Sequence, residues 1–271
     1  MSTTATISTL RAETNAANPA ATQTTGHRRG ANTDQQLLAR LAGGLFLITY
    51  ATSIPPVATL YVPVLNDPAF IMGTGTDMGL SWGALLELLL IVSNIGTALV
   101  LFPILKRVSE VLALGFVAAR IMESVFIAVG ILSLLSIGTL RAEAAGADAG
   151  ALLIVGQALV VLHDWTFLLG PGTVVGVGNG LILGYLMYKS RLIPRAMSVL
   201  GLIGGPALLA ASAAILFGFI EPGSTWQVIA TVPEFFWELS LGIWLLARGF
   251  NPGALAALEA ATPGRSGAAR D

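Results

Sequence analysis

Glu234 and Glu238 stand four residues apart in the otherwise uncharged, mostly apolar run 226–247. That spacing puts both carboxyl groups on one face of a helix. Two acids held together can pass a proton, hold a cation or act as a general base. Arg120 and Glu123, three residues apart in the run 110–138, form a second such set, one cation beside one acid. Glu87 falls early in the run 82–105, with Asn94 two turns further along the same face, and His163 and Asp164 open a further helical stretch. An ionisable group inside an apolar span is costly, so each of these marks a functional site by default.

The elements that must position them follow from composition. Of 271 residues, 55% are hydrophobic and only 11% are charged, and the mean hydropathy is +0.79. A water-soluble domain carries about 25% charged residues, so the bilayer is the natural solvent for this chain. There is no Cys, and the only histidines are His27 and His163. That excludes thiol redox chemistry, disulfides, iron–sulfur clusters, Cys/His zinc sites and a bis-histidine haem, and no cofactor motif is present. A net charge of −1 gives no electrostatic footprint for nucleic acid.

Residues 1–35 have neither an apolar run nor periodicity and are expected to be a disordered tail. Residues 251–271, rich in Ala, Gly and Pro, are expected to be a second, loose tail, leaving 36–250 as one transmembrane helical domain. A span needs about 20 mostly apolar residues, and the runs 39–61, 82–105, 110–138, 196–219 and 226–247 meet that requirement. The stretch 151–188 is too long for one ordinary span and is interrupted by Gly170-Pro171-Gly172. Positive charge decides how often it crosses, because Lys and Arg collect in cytoplasmic loops. One crossing puts twelve of the fourteen basic residues inside, with Arg141 outside and Arg120 within a helix; two crossings leave six inside against seven outside. The expected fold is therefore an all-α polytopic bundle of six spans, seven being the alternative, with both termini cytoplasmic and the chain in the cell membrane. Residues 150–162 would form a short helix on or dipping into the outer face, followed by a span from about 163 to 188.

Counted from Trp226 at the outer surface, Glu234 lies roughly 12 Å down and Glu238 roughly 18 Å, near the midplane. Glu87, His163, Asp164 and Glu234 then share the outer half, which suggests a polar pocket opening outward and ending at Glu238, Glu123 and Arg120. Five acids face one fixed cation there, so the unpaired carboxyl groups favour the neutral, protonated form. Plainer roles exist for each. Glu87 could reach up to the headgroups, and Asp164 could cap a helix N-terminus with His163 as its interfacial neighbour. Arg120–Glu123 could be a structural pair, and Glu234 and Glu238 could both be protonated and hydrogen-bonded.

Gly172, Gly176, Gly180 and Gly184 recur every fourth residue and make a strip that another helix can approach closely. Gly201, Gly204, Ala207, Ala211 and Ala214 make a similar face on the next span. The two spans pack together, or one strip joins a homodimer. Gly176-Val177-Gly178-Asn179-Gly180 follows no strand, so it is not a nucleotide loop. Pro171 and the pair Pro55-Pro56 should kink or break their helices.

The segment His163-Asp164-Trp165-Thr166-Phe167-Leu168-Leu169-Gly170-Pro171-Gly172 carries a recognisable signature. With Gly184-Tyr185-Leu186, Lys189-Ser190-Arg191-Leu192-Ile193-Pro194-Arg195 and Leu200-Gly201-Leu202-Ile203-Gly204-Gly205, it resembles a bacterial multi-pass membrane family catalogued as domain of unknown function 4386. The resemblance covers roughly residues 36–250. It implies an integral membrane helical bundle and no activity, so no catalytic residue is carried over from it. Two functions stand against each other: proton- or cation-linked passage of an unidentified small molecule through the acidic pocket, and a membrane accessory or signalling role in which the buried charges are structural. An intramembrane enzyme is disfavoured, because no Ser–His pair and no metal-ligand cluster accompanies the acids.

Overall fold

The computed structural model describes residues 19–261, with side chains from residue 33 onward. Six of its helices are long and apolar enough to cross a membrane. They lie in α1 (Pro19–Pro55), α2 (Met78–Leu105), α3 (Glu110–Glu143), α4 (Ala149–Ser190), α5 (Arg195–Leu216) and α6 (Thr225–Ala247), and a shorter α7 (Pro252–Ala261) follows. Among the described residues there is no strand. Asp77 and Asp148 start α2 and α4 by accepting from the backbone N–H of Leu80 (2.8 Å) and Ala151 (3.0 Å), which satisfies donors a helix start would leave orphaned.

Each of α1 to α6 packs on its neighbours in sequence, and α6 returns to α1, so the six helices form a closed ring. Large apolar side chains cover the outside of the ring, among them Val92 (67% exposed), Leu132 (64%) and Ile229 (55%). A surface of this kind is stable only against hydrocarbon or a partner. At one end of the ring, connections 106–109, 191–194 and 248–251 and the helix ends beside them carry Lys106, Arg107, Lys189, Arg191, Arg195 and Arg248; this is the basic end. There the interior is closed by Phe46, Leu101, Phe116, Leu183, Trp237 and Leu241, all fully buried. At the opposite end Tyr61, Val64, Phe70 and Ile71, from the long α1–α2 connection, pack on Leu134, Ile137 and Leu152. The Arg141 guanidinium lies 4.3 Å from the Phe70 ring and donates to the Phe70 carbonyl.

Several expectations need correction. Residues 150–162 are not a separate helix: α4 runs unbroken for 42 residues, because nothing between Leu162 and His163 interrupts it. As an α-helix that length would be about 63 Å, about twice the hydrocarbon thickness. Its first turns pack on Ile71 and Ile137, with Gly156 giving Ile71 room. Asp164 consequently caps nothing; it sits within the helix, and its side chain is 61% exposed. The helix α1 already begins at Pro19, inside the expected tail, and residues 1–18 lie outside the described residues. Residues 252–261 are helical rather than loose, and residues 262–271 lie outside the described residues. Gln36 explains that order. Its amide donates to the Phe250 carbonyl (2.8 Å) and accepts from the Phe250 N–H (3.0 Å), while Gln35 donates to Glu259 (2.6 Å).

At Pro56 and Pro171 the expected kink or break takes the form of a backbone that widens into π-helix and continues. Pro56–Leu60 and Leu168–Val174, the latter around Pro171, are π-helical, and Gly176–Leu183 continues in the same form. A proline removes one helical hydrogen bond and crowds the preceding turn, which a local change of register absorbs.

Candidate functional site

The ring is hollow on the side away from the basic end. A cavity of about 410 Å³ takes residues from all six helices. Four carboxyl groups line it, from Glu87, Glu123, Glu234 and Glu238, and the Arg120 guanidinium is the only cation among them. Its rim includes the exposed Val57 and Thr231, and its floor meets the apolar plug of the basic end. It is therefore blind.

Arg120 is held on several sides. Its Nη1 donates to Glu123 Oε2 at 2.8 Å and to Asn94 Oδ1 at 3.4 Å, and its Nη2 reaches Glu238 Oε1 at 3.5 Å. Asn94 Nδ2 donates in turn to Glu123 Oε1 at 2.9 Å. Phe46 and Phe116 sit 5.3 and 5.8 Å from the guanidinium, in cation–π range. This network joins α2, α3 and α6 at the bottom of the cavity.

Glu234 is different. The residue is 3% exposed, and neither carboxyl oxygen has a hydrogen-bond partner. Glycines make the space for it: a Cβ on Gly204 would fall 2.6 Å from Glu234 Oε2, and one on Gly180 would fall 2.8 Å from it. The strips on α4 and α5 thus cradle a carboxyl group as well as letting two helices meet. Gly176 and Gly180 lie against Gly205, Gly184 against Leu202, and Gly172 against Ser212. All four strip glycines are used within one chain, so the strip is not left free for a homodimer. Gly201 and Gly204 serve a second crossing, against Trp237 and Glu234 of α6.

Glu87 does not reach for headgroups. It is 6% exposed and accepts from the Tyr61 hydroxyl at 2.8 Å. Tyr61→Phe leaves that buried carboxyl group without its donor and is expected to cost about 1–3 kcal/mol. Thermal melting in detergent reads this loss; an unchanged midpoint would show that the bond contributes nothing. His163 is buried behind the same tyrosine, edge-on at 6.0 Å between ring centroids, and does not line the cavity. Asp164 faces away, 3.6 Å from His163 Nδ1. Of the seven expected site residues, the fold thus gathers Glu87, Arg120, Glu123, Glu234 and Glu238 and leaves out His163 and Asp164.

Sequence reasoning missed Tyr50, whose hydroxyl donates to the Phe235 carbonyl at 2.6 Å on the cavity wall. The cluster Thr49-Tyr50-Ala51-Thr52-Ser53 inside an apolar run was the available signal. It also missed Gly43 and Gly242, where α1 and α6 cross so closely that a Cβ on Gly43 would fall 2.7 Å from the Gly242 carbonyl oxygen. Among the described residues no group of three or more His, Asp or Glu could hold a metal ion.

A ring of six spanning helices around a buried acidic cavity defines a multi-pass membrane protein. The family model described as Domain of unknown function (DUF4386) matches residues 41–249, and the chain belongs to that family. No curated protein and no solved structure matches it.

Proposed function

We propose that this protein takes a small molecule into the acidic cavity and couples its passage to a proton or cation carried by Glu234 and Glu238. The observation that supports this most directly is the unpartnered Glu234 carboxyl group on the cavity wall. A charged group buried without a donor is strongly disfavoured, so Glu234 needs either a proton or a bound cation. Exchange of one for the other is the elementary step of coupling. Because the cavity is blind, passage requires a change of shape that opens the basic end, as in a carrier, rather than an open pore. Both Glu123 oxygens, the Asn94 amide and the Arg120 Nη1 and Nη2 atoms have partners in this network, which favours a structural role for those three residues and leaves Glu234 and Glu238 as the working pair.

Infrared difference spectroscopy across a pH titration tests the pairing. A carboxylic-acid C=O band should titrate in the wild type and vanish in either Glu234→Gln or Glu238→Gln. Identical spectra from all three proteins would sink the proposal and leave the accessory role.

In this reading the basic end faces the cytoplasm, because Lys and Arg accumulate there, and the cavity opens outward. Reporter fusions after Ile193 and after Phe250 should report the cytoplasm, and fusions near Gly73 or Ala147 the outside. An outside signal at Ile193 would invert the orientation.

A further inference from the structure

At the basic end, between the α4–α5 connection and the end of α6, lies a second cavity of about 630 Å³. Arg191, Arg195 and Arg248 line it together with Trp244. Its floor is apolar, with Ile193 and Phe250 buried beneath. The two segments that build it are tied together by the Asn251 N–H, which donates to the Leu192 carbonyl at 2.8 Å. Arg191 ends α4 in the left-handed conformation, φ 57°, so the chain turns sharply into the groove.

None of the three arginines has a carboxylate within ion-pair distance among the described residues. Arg195 instead lies 4.8 Å over the Tyr188 ring, and Arg248 lies 6.0 Å from the Trp244 ring. All three are exposed, and together they place three positive charges around one cavity, a field that attracts an anion. From Arg195 an exposed apolar stripe runs along the outside of α5 through Val199 (39% exposed) and Ile203 (54%), each four residues on. That stripe fits an acyl chain whose headgroup sits at the arginines. Basic pockets between helix ends, with an interfacial aromatic, suit anionic headgroups. We infer that this groove binds the phosphate of an anionic phospholipid.

The test uses the full chain in vesicles of brominated phosphatidylglycerol or brominated phosphatidylcholine. Bromine quenches tryptophan at contact, and the difference between wild type and Trp244→Phe isolates the groove. Quenching of Trp244 should favour phosphatidylglycerol by at least about fivefold, equivalent to about 1 kcal/mol. The triple variant Arg191→Gln/Arg195→Gln/Arg248→Gln should abolish the preference. If that variant does not fold, the wild type in high salt should lose most of the preference, since exposed charges are screened. Equal quenching by the two lipids in the wild type would overturn the inference. Removal of the preference by inorganic phosphate, but not by chloride at the same ionic strength, would overturn the lipid source and assign the groove to free phosphate.

Discussion

Arg120→Gln should melt far below the wild type, with a loss of about 3–5 kcal/mol. The arginine lies 2.8 Å from Glu123 and 3.5 Å from Glu238, and the residue is 2% exposed. Removing the cation leaves the Glu123 and Glu238 carboxyl groups in one small cavity that no other cationic side chain lines. Uncompensated buried charge is among the few single-site defects of this size. The second variant makes the test specific. Arg120→Gln/Glu123→Gln removes one charge of each sign and keeps an amide for Asn94, so it should recover most of the loss. Thermal melting of both proteins in one detergent measures the difference. A single variant as stable as the wild type, or a double variant no better than the single, would show that the pair does not hold α2, α3 and α6 together.

Gly204→Ala and Gly180→Ala should each cost about 1–3 kcal/mol, the range for overpacking a filled interior. On Gly204 the new methyl would lie 2.5 Å from the Glu234 backbone nitrogen, and on Gly180 it would lie 2.7 Å from the Gly205 nitrogen. Backbone cannot yield as a flexible side chain can, so α5 must move away from α6 in the first case and from α4 in the second. Gly44→Ala is the control: nothing lies within 4 Å of its added methyl, and alanine favours helix over glycine by up to about 1 kcal/mol. Melting temperatures should therefore fall for the first two variants and hold or rise for the third. Gly204→Ala should also move the infrared band assigned to Glu234, because its methyl would occupy the place of that carboxyl group. An unmoved band with a lowered melting point would separate the packing role of the glycine from its role as a cradle.

The number of spans, the shared face of Glu234 and Glu238, the pairing of Arg120 with Glu123 and the four-residue glycine strip were all legible in the chain. Each depends on helix periodicity or on the length of an apolar run, and both are local properties. The same rules also placed Pro56 and Pro171 at irregular turns. Only the tertiary structure decided which faces turn inward. In water, the contrast between apolar and polar faces would reveal this, but here lipid-facing Val92 and interior Leu101 are equally apolar, and hydropathy cannot tell them apart. The rotation of each helix about its axis is set by side-chain fit across the ring. That fit buried Glu87 beneath Tyr61, turned Asp164 outward, and put Gly180 and Gly204 around a carboxyl group that lies distant from them in sequence. The unbroken length of α4 was hidden for a related reason: Gly170-Pro171-Gly172 reads as a break in isolation, and packing against α3 and α5 carries the helix through it as a π turn.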